Sequence, residues 1–199
     1  KDNSFMNKKK IAIFASGTGS NALQLIKHFK NHPNIQVALI VTNSTKAPVI
    51  KVAQENDVPF SVVNKSLLSN NSYMTSLLNL YDVDFIVLAG FLLLVPPFLV
   101  KIYNQKMINI HPALLPKYGG KGMHGLNVHQ AVISAGDTET GITIHYVNEM
   151  YDKGKVIFQS TVKVDKKDNA EKLSKKVQEL EHKYLPEWSE KLIMQMRYL

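Results

Sequence analysis

The sequence predicts an α/β fold whose central sheet is mostly parallel. Five short apolar runs occur in the first two-thirds of the chain, and segments in which apolar residues recur at helical spacing alternate with them. Strands that are apolar on both faces pack inside a sheet covered by helices, and alternation of strand with helix requires crossover connections. At 199 residues, 45% of them hydrophobic, the chain is long enough for one such domain with a sizeable core.

The predicted elements follow one another in this order. Strands are predicted at 11–15, 35–41, 60–63, 85–89 and 107–110. Helices are predicted around 22–29, at 47–56, and at 73–80 after the capping residues Ser69 and Asn70.

The last third of the chain has a different pattern. Residues 141–147 and 156–164 alternate more between apolar and polar side chains, which predicts an antiparallel pair joined by a loop. A long helical pattern begins near Asn169 and is interrupted at Pro186. No composition shift marks a linker, so residues 1–199 are expected to form one domain. Residues 1–5 are expected to be disordered or a remnant that precedes a native start at Met6.

Composition excludes several classes of protein. The chain has no cysteine, which rules out disulfides, cysteine-ligated zinc and thiol catalysis. No run approaches the roughly 20 apolar residues that cross a bilayer. The net charge of +8 comes almost wholly from lysine, and the one arginine is Arg197. Proteins that bind nucleic acids usually contact phosphates and bases through arginine side chains. We therefore expect no nucleic-acid or membrane partner. We expect a cytoplasmic protein whose positive charge attracts small anions.

A glycine turn follows the first predicted strand. Residues 16–22 read Ser-Gly-Thr-Gly-Ser-Asn-Ala and lead directly into a predicted helix. Free backbone N–H groups and the positive end of a helix dipole favour a phosphate or carboxylate there. A dinucleotide site would also need an acidic residue at the end of the second strand, and residues 41–44 have none. Residues 16–22 therefore predict a site for a single phosphate. The alternative is a tight strand-to-helix turn in which the glycines only permit the backbone conformation.

Asn109 and His111 close the fifth predicted strand. Strand alternation points both to the same side, at the sheet edge where open parallel sheets bind ligands. An amide donor beside an imidazole suits acyl transfer, although a buried histidine and a strand-end asparagine are the structural alternative. A carboxylate near His111 would raise its pKa, and the spacing leaves both Glu149 and Asp152 as candidates.

Three other patterns are less informative. The glycine-rich residues 119–125 lack the strand-to-helix context of a Walker motif and are expected to form a mobile flap over the site. No pair with metal-ligand spacing occurs among His124, His129, His145 and Asp137, so no metal is expected. Ser16 and Ser20 do not lie in a nucleophile elbow, so serine hydrolysis has no support.

Several segments together resemble the phosphoribosylglycinamide formyltransferases, a branch of the folate-dependent formyltransferase family. The matching segments are 11–21, 87–91, 108–118, 141–145, 151–154 and 181–182, in the family's order. The stretch Asn-Ile-His-Pro-Ala-Leu-Leu-Pro is the most specific of them. The resemblance spans about residues 8–190. It implies a single-domain, Rossmann-like formyltransferase fold with an antiparallel C-terminal part and a long C-terminal helix.

The resemblance also implies a role for each site residue. By it, Asn109, His111 and Asp152 are catalytic, which decides between Asp152 and Glu149. Three groups of binding residues are implied as well. They are Gly19, Ser20 and Asn21 for the substrate phosphate, Glu181 for the ribose, and Leu92, Leu93, Leu94 and Val95, with Asn109 and Asp152, for the folate. The run 92–95, which would otherwise be interpreted as core, thus becomes a folate slot.

The reaction implied by the resemblance transfers a formyl group from 10-formyltetrahydrofolate to the glycinamide amine of 5-phosphoribosylglycinamide. The products are formylglycinamide ribonucleotide and tetrahydrofolate, in de novo purine (IMP) biosynthesis. Asn109 and protonated His111 would stabilise the oxyanion, and Asp152 would keep His111 charged. The partners implied are these two small molecules, for a monomer or homodimer without a metal.

This chain departs from the family at three places. Leu93 stands where some members carry an arginine beside the folate, and Asn70 where others carry a basic residue that meets the folate tail. Residues 120–125 form a longer segment than in shorter relatives. Two rival functions are a formyltetrahydrofolate deformylase, which normally has an additional N-terminal domain, and a non-enzymatic phosphate-binding module. Methionyl-tRNA formyltransferases are related too, but their tRNA-binding domain makes them markedly longer.

Overall fold

Strands and helices alternate through most of the chain. A computed structural model describes residues 7–196. The strands are β1 (Lys9–Phe14), β2 (Ile35–Thr42), β3 (Phe60–Val62), β4 (Phe85–Leu88), β5 (Met107–His111), β6 (Glu139–Tyr146) and β7 (Val156–Lys163). The helices are α1 (Ser20–Phe29), α2 (Val49–Glu55), α3 (Lys65–Leu68), α4 (Asn71–Leu80), α5 (Pro97–Ile102), α6 (Leu126–Ala135) and α7 (Ala170–Gln195). The expectation for residues 1–5 lies outside the described residues.

Within the described residues the strands form one sheet in the order β3-β2-β1-β4-β5-β6-β7. The pairs from β3 to β5 are parallel, whereas β6 runs antiparallel to both β5 and β7. This confirms the predicted α/β fold with a mostly parallel sheet, an antiparallel C-terminal part and a long C-terminal helix. From β1 the sheet grows through β2 to β3 on one side, and β4 then pairs with the other side of β1. The order of the strands thus reverses at β1, and open α/β sheets bind ligands at such a switch point.

The core lies on both faces of the sheet. Alternate residues of β1 belong to different layers: Ile11 and Ile13 pack with α1, α2, α6 and α7, while Ala12 and Phe14 pack with α3, α4 and α5. All four are fully buried. The continuous apolar runs of the sequence therefore have the predicted cause, which is burial on both faces.

Some elements differ from the prediction. α3, α5 and α6 were not predicted, because the first two are short and α6 follows glycines that suggested a loop. The predicted interruption at Pro186 is wrong, since α7 continues through it to Gln195. Proline removes one backbone donor, but Pro186 and its neighbour Leu185 are buried against the sheet, and this packing maintains the helix.

Within residues 7–196, every helix is too short or too polar to traverse a bilayer. The longest, α7, carries charged residues along its length.

Gly141 lets β6 and β7 approach closely. A Cβ built at this position overlaps the backbone carbonyl of Ser160 on β7 and lies 3.0 Å from Leu114 Cδ2. The Ser160 carbonyl cannot move far without breaking the pairing of β6 with β7. A glycine is therefore required by space at this position.

We expect Gly141→Ala to lower the free energy of unfolding by about 2 kcal/mol, the usual cost of overpacking a core. In a domain of this size that corresponds to a Tm decrease of about 4–8 °C. Gly17→Ala is the matched control, since a Cβ there has nothing within 4 Å. Thermal denaturation of both variants checks this, and equal Tm values would contradict the close approach.

Candidate active site

One large cavity lies at the carboxyl ends of β1, β4 and β5. Its volume is about 570 Å³. Its walls come from the turn after β1, residues 88–95 after β4, the end of β5, the loop before α6, the end of β6 with parts of the loop that follows it, and one face of α7. All the residues that the resemblance assigns to catalysis and binding line this cavity.

The turn after β1 exposes the N-terminus of α1. Gly19 has φ 77°, in the left-handed region, and a Cβ there would meet Val49 Cγ2 at 2.7 Å. No side chain caps α1, and its first turn has no acidic residue. The N–H groups of the first turn and the positive end of the helix dipole are therefore free to receive an anion.

Two side chains of α7 extend this end of the cavity. Gln178 donates to Ser20 Oγ (3.0 Å), and Asn21 donates to Glu181 Oε2 (3.4 Å). Burial raises the pKa of Glu181 to about 7, although the hydrogen bond from Asn21 opposes the shift. Sequence reasoning found Glu181 only by resemblance and missed Gln178, whose one signal is its spacing of three residues from Glu181 on the helix.

The three residues of the catalytic prediction meet at the end of β5. Asn109 Nδ2 donates to Asp152 Oδ1 (3.3 Å), and His111 Nδ1 lies 3.5 Å from the same oxygen. Asp152 Oδ2 accepts from the backbone N–H of Gly120 (2.9 Å). Glu149 instead borders a separate shallow cavity beside α5. The structure thus brings Asp152 to His111 and leaves Glu149 apart.

The expected rise in the pKa of His111 is wrong. Burial lowers it, and this effect exceeds the opposite effects of Asp152 and of the Tyr118 carbonyl, which accepts from His111 Nε2 (2.6 Å). Asp152 by itself raises the pKa of His111, as expected. The sequence did not indicate that His111 is only 4% exposed. Burial also raises the pKa of Asp152, yet hydrogen bonds from His145 and Gly120 and the charge of His111 hold it below its ordinary value.

His145 and His129 also line the cavity, and the sequence suggested them only as unsupported metal ligands. His145 Nε2 lies 3.0 Å from Asn109 Nδ2, and its Nδ1 lies 2.8 Å from the Tyr146 carbonyl. A carbonyl can only accept, so Nδ1 carries a proton and donates it to the Tyr146 carbonyl. His129 is 3% exposed, and burial followed by the charge of His111 lowers its pKa to about 4.

The run predicted as a folate slot borders the opposite side of the cavity. Leu92 and Leu94 are exposed, whereas Val95 is buried in the core. Leu92 N–H donates to Ser16 Oγ (2.9 Å), and its carbonyl accepts from the Tyr151 hydroxyl (3.3 Å). Val95 therefore agrees with the core interpretation, while folate binding by the run stays a prediction. Leu93 lines the cavity, while Asn70 caps α4 and is not part of the wall.

The glycine-rich loop contributes residues 120–125 to the cavity wall. The sequence did not indicate that a helix follows this loop. In the structure, Gly125 is the N-cap of α6. Gly120 and Gly122 have φ values of 94° and 84°, which suit glycine. Lys121 is the one Lys or Arg among the wall residues that the structure describes. Within residues 7–196, no three His, Asp or Glu side chains come together to hold a metal ion.

Comparison with known proteins gives consistent results. A family model described as "Formyl transferase" matches residues 9–188. A relative from Arabidopsis thaliana, named "Phosphoribosylglycinamide formyltransferase, chloroplastic", is 41% identical over 182 residues, which are 88% of this chain and 62% of that protein. The crystal structure of a phosphoribosylglycinamide formyltransferase from Bacillus halodurans matches with 34% identity and a TM-score of 0.83, covering 93% of this chain and 95% of that one.

Two of these matches have a narrower meaning. The chain spans about 62% of the length of the plant relatives that it matches. A formyltetrahydrofolate deformylase from Pseudomonas syringae pv. tomato matches with a TM-score of 0.77 but 23% identity, over 88% of this chain and 58% of that one. At that identity the likeness shows a shared fold alone.

We expect Asp152→Asn to lower the pKa of His111 further. The carboxylate raises this pKa against the effect of burial, so its removal leaves burial less opposed. NMR titration of the histidine C2–H resonances measures the change, and Glu149→Gln is the matched control because Glu149 does not line this cavity. An unchanged or higher value in Asp152→Asn would show that the two groups are not coupled.

Proposed function

The chain belongs to the formyl transferase family, and on that premise we propose that it transfers a formyl group from 10-formyltetrahydrofolate to the amine of 5-phosphoribosylglycinamide, in purine biosynthesis. The observation that carries the proposal is one cavity that holds both a catalytic group and an anion site. Asn109 Nδ2 and His111 Nδ1 both lie within 3.5 Å of Asp152 Oδ1, and the open N-terminus of α1 borders the same cavity.

The ribonucleotide occupies the wall formed by α1 and α7 in this proposal. Its phosphate accepts from the N–H groups at Gly19, Ser20 and Asn21, where no protein side chain competes. Glu181 accepts from the two ribose hydroxyls, because a carboxylate has acceptors for both. These groups orient the glycinamide amine toward the end of β5.

The folate occupies the side bordered by residues 91–95. The exposed side chains of Leu92 and Leu94 offer an apolar surface to the pterin ring, and backbone groups of the run hydrogen-bond its edge. Leu93 supplies no charge, so ring binding depends on packing and on the backbone. Lys121, on the loop before α6, is the one Lys or Arg that the structure describes in the cavity wall. It is therefore available to bind an anionic group of a substrate.

Formyl transfer is an addition followed by an elimination. The amine nitrogen bonds to the formyl carbon, whose oxygen gains negative charge. The C–N10 bond then breaks, and a proton from the amine reaches N10 through water. Asn109 and His111 donate hydrogen bonds to the developing oxyanion, whose charge favours the imidazolium that burial alone disfavours. Asp152 remains ionised and stabilises that imidazolium.

Two other functions account for less of the site. In a deformylase, water would replace the amine, and neither the open α1 N-terminus nor Glu181 would have a ligand. A phosphate-binding module without catalysis would need no His111 or Asp152 at the cavity floor. We further propose one formyltransferase domain acting in the cytoplasm, as a monomer or homodimer, on small molecules and not on nucleic acid or membranes.

The first test follows deformylated folate by absorbance, using 10-formyldideazafolate with and without the ribonucleotide. Release that depends strictly on the ribonucleotide is expected, and comparable release without it would favour the deformylase.

His111→Ala should lower the rate about a hundredfold or more, the usual effect of losing an acid-base group. Glu149→Gln is the control and should retain wild-type turnover, because Glu149 does not line the cavity.

A second test concerns pH. Because the pKa of Glu181 is raised to about 7, the side chain is protonated below that pH and ionised above it. The ribose hydroxyls need the ionised form, so ribonucleotide affinity should rise about threefold or more from pH 6.5 to 8.5. Glu181→Gln should bind more weakly and lose this rise. Calorimetry at each pH measures both proteins, and an equal pH dependence in the variant would assign the rise to the ligand instead.

A further inference from the structure

A short backbone run, residues 118–120, contacts both His111 and Asp152. The carbonyl of Tyr118 accepts from His111 Nε2 (2.6 Å), and two residues later the N–H of Gly120 donates to Asp152 Oδ2 (2.9 Å). A Cβ on the intervening Gly119 would meet Leu115 Cδ2 at 2.6 Å and Asp152 Cβ at 3.4 Å. The run therefore packs closely against Leu115 and Asp152, and it hydrogen-bonds both His111 and Asp152.

The conformation of this run is not one that its sequence prefers. Tyr118 has φ 56°, in the left-handed region that a bulky residue adopts only when its surroundings impose it. Its side chain supplies such a restraint, because the Tyr118 hydroxyl donates to Asp137 Oδ2 (2.7 Å). This bond raises the pKa of Tyr118 and lowers the pKa of Asp137, as a bond to an ionised carboxylate does.

Asp137 lies just beyond α6, so this bond joins the two ends of the segment that contains the glycine-rich loop and the helix. Lys117 Nζ is the other partner of Asp137, at 3.5 Å. The two ends are thus fixed to each other next to the point where the run contacts His111.

We propose that the hydrogen bond from Tyr118 to Asp137 is a positioning device for the formyl transfer. It holds the Tyr118 carbonyl on His111 Nε2 and so keeps Nδ1 directed at Asp152 and the cavity. Tyr118 and Asp137 are positioning residues that act through His111. This inference rests on the proposed function for its kinetic effect, but not for its effect on the histidine ring.

The ring of His111 has four titratable or polar neighbours that decide its state. Asp152 and the Tyr118 carbonyl favour the protonated ring, whereas His145 disfavours it. The fourth neighbour, His129, has its own pKa lowered by burial and by the charge of His111. Of these neighbours, only the carbonyl depends directly on the Tyr118–Asp137 bond. Weakening the bond should therefore release Nε2, mix the two neutral tautomers, and lower the pKa of His111.

The test compares Tyr118→Phe, Asp137→Ala and the double variant. Each single variant should lower kcat about tenfold with KM changed less than twofold, and the double variant should be no worse than either. The descending alkaline limb of the kcat profile should move to lower pH, because less His111 remains protonated. Asp137→Asn keeps an acceptor for the hydroxyl and should restore most of the activity.

Nitrogen-15 NMR of His111 gives a readout that does not need turnover. The wild type should show the Nε2–H tautomer, and the variants a mixture with a lower pKa. Tyr103→Phe is the matched control, since it removes a tyrosine hydroxyl bonded to the Val83 carbonyl (3.1 Å) outside the cavity and should leave His111 unchanged. A wild-type tautomer and pKa in Tyr118→Phe would overturn the inference, as would additive losses of kcat. An inactive wild type would overturn the proposed function instead.

Discussion

Burial of His111 beside the partly buried Asp152 is the constraint on which the rest of the site depends. Each loses hydration at the end of the sheet, and a buried polar group without partners is costly. The two side chains face one another at 3.5 Å, but each keeps further capacity for hydrogen bonds. Tyr118, Gly120 and Asn109 occupy that capacity, so β5, the loop before α6 and the loop after β6 are fixed together.

The sheet explains why these groups meet. Parallel strands that are apolar on both faces leave polar residues only at their ends, and the ends of β1, β4 and β5 coincide. The antiparallel β6 and β7 then return the chain so that residues 145–152 border the same edge. Charge is divided within the resulting cavity: α1 offers a positive terminus, while Glu181 and Asp152 offer acceptors.

Periodicity and resemblance in the sequence predicted different parts of this arrangement. The strands were predictable because burial on both faces leaves a continuous apolar run, and Asn109 and His111 because alternation puts them on one side. The choice of Asp152 needed the resemblance, since Glu149 has equivalent spacing. His145, Gln178 and the Tyr118 carbonyl could not be predicted, because each acts through a contact across the fold. The pKa of His111 was misjudged for a related reason: burial depth is a property of the assembled structure.

The position of α7 has a consequence for synthesis on the ribosome. Residues 170–195 are made after the sheet and after Asn109, His111 and Asp152, yet they provide Gln178 and Glu181 at the α1 end of the cavity. A nascent chain that has completed β7 thus contains these three residues without a finished cavity wall on that side. Its α1 face is also uncovered, since Leu173, Val177 and Leu185 belong to the same core layer. Maturation of the cavity and closure of this hydrophobic layer are therefore one event, which occurs when the last helix docks.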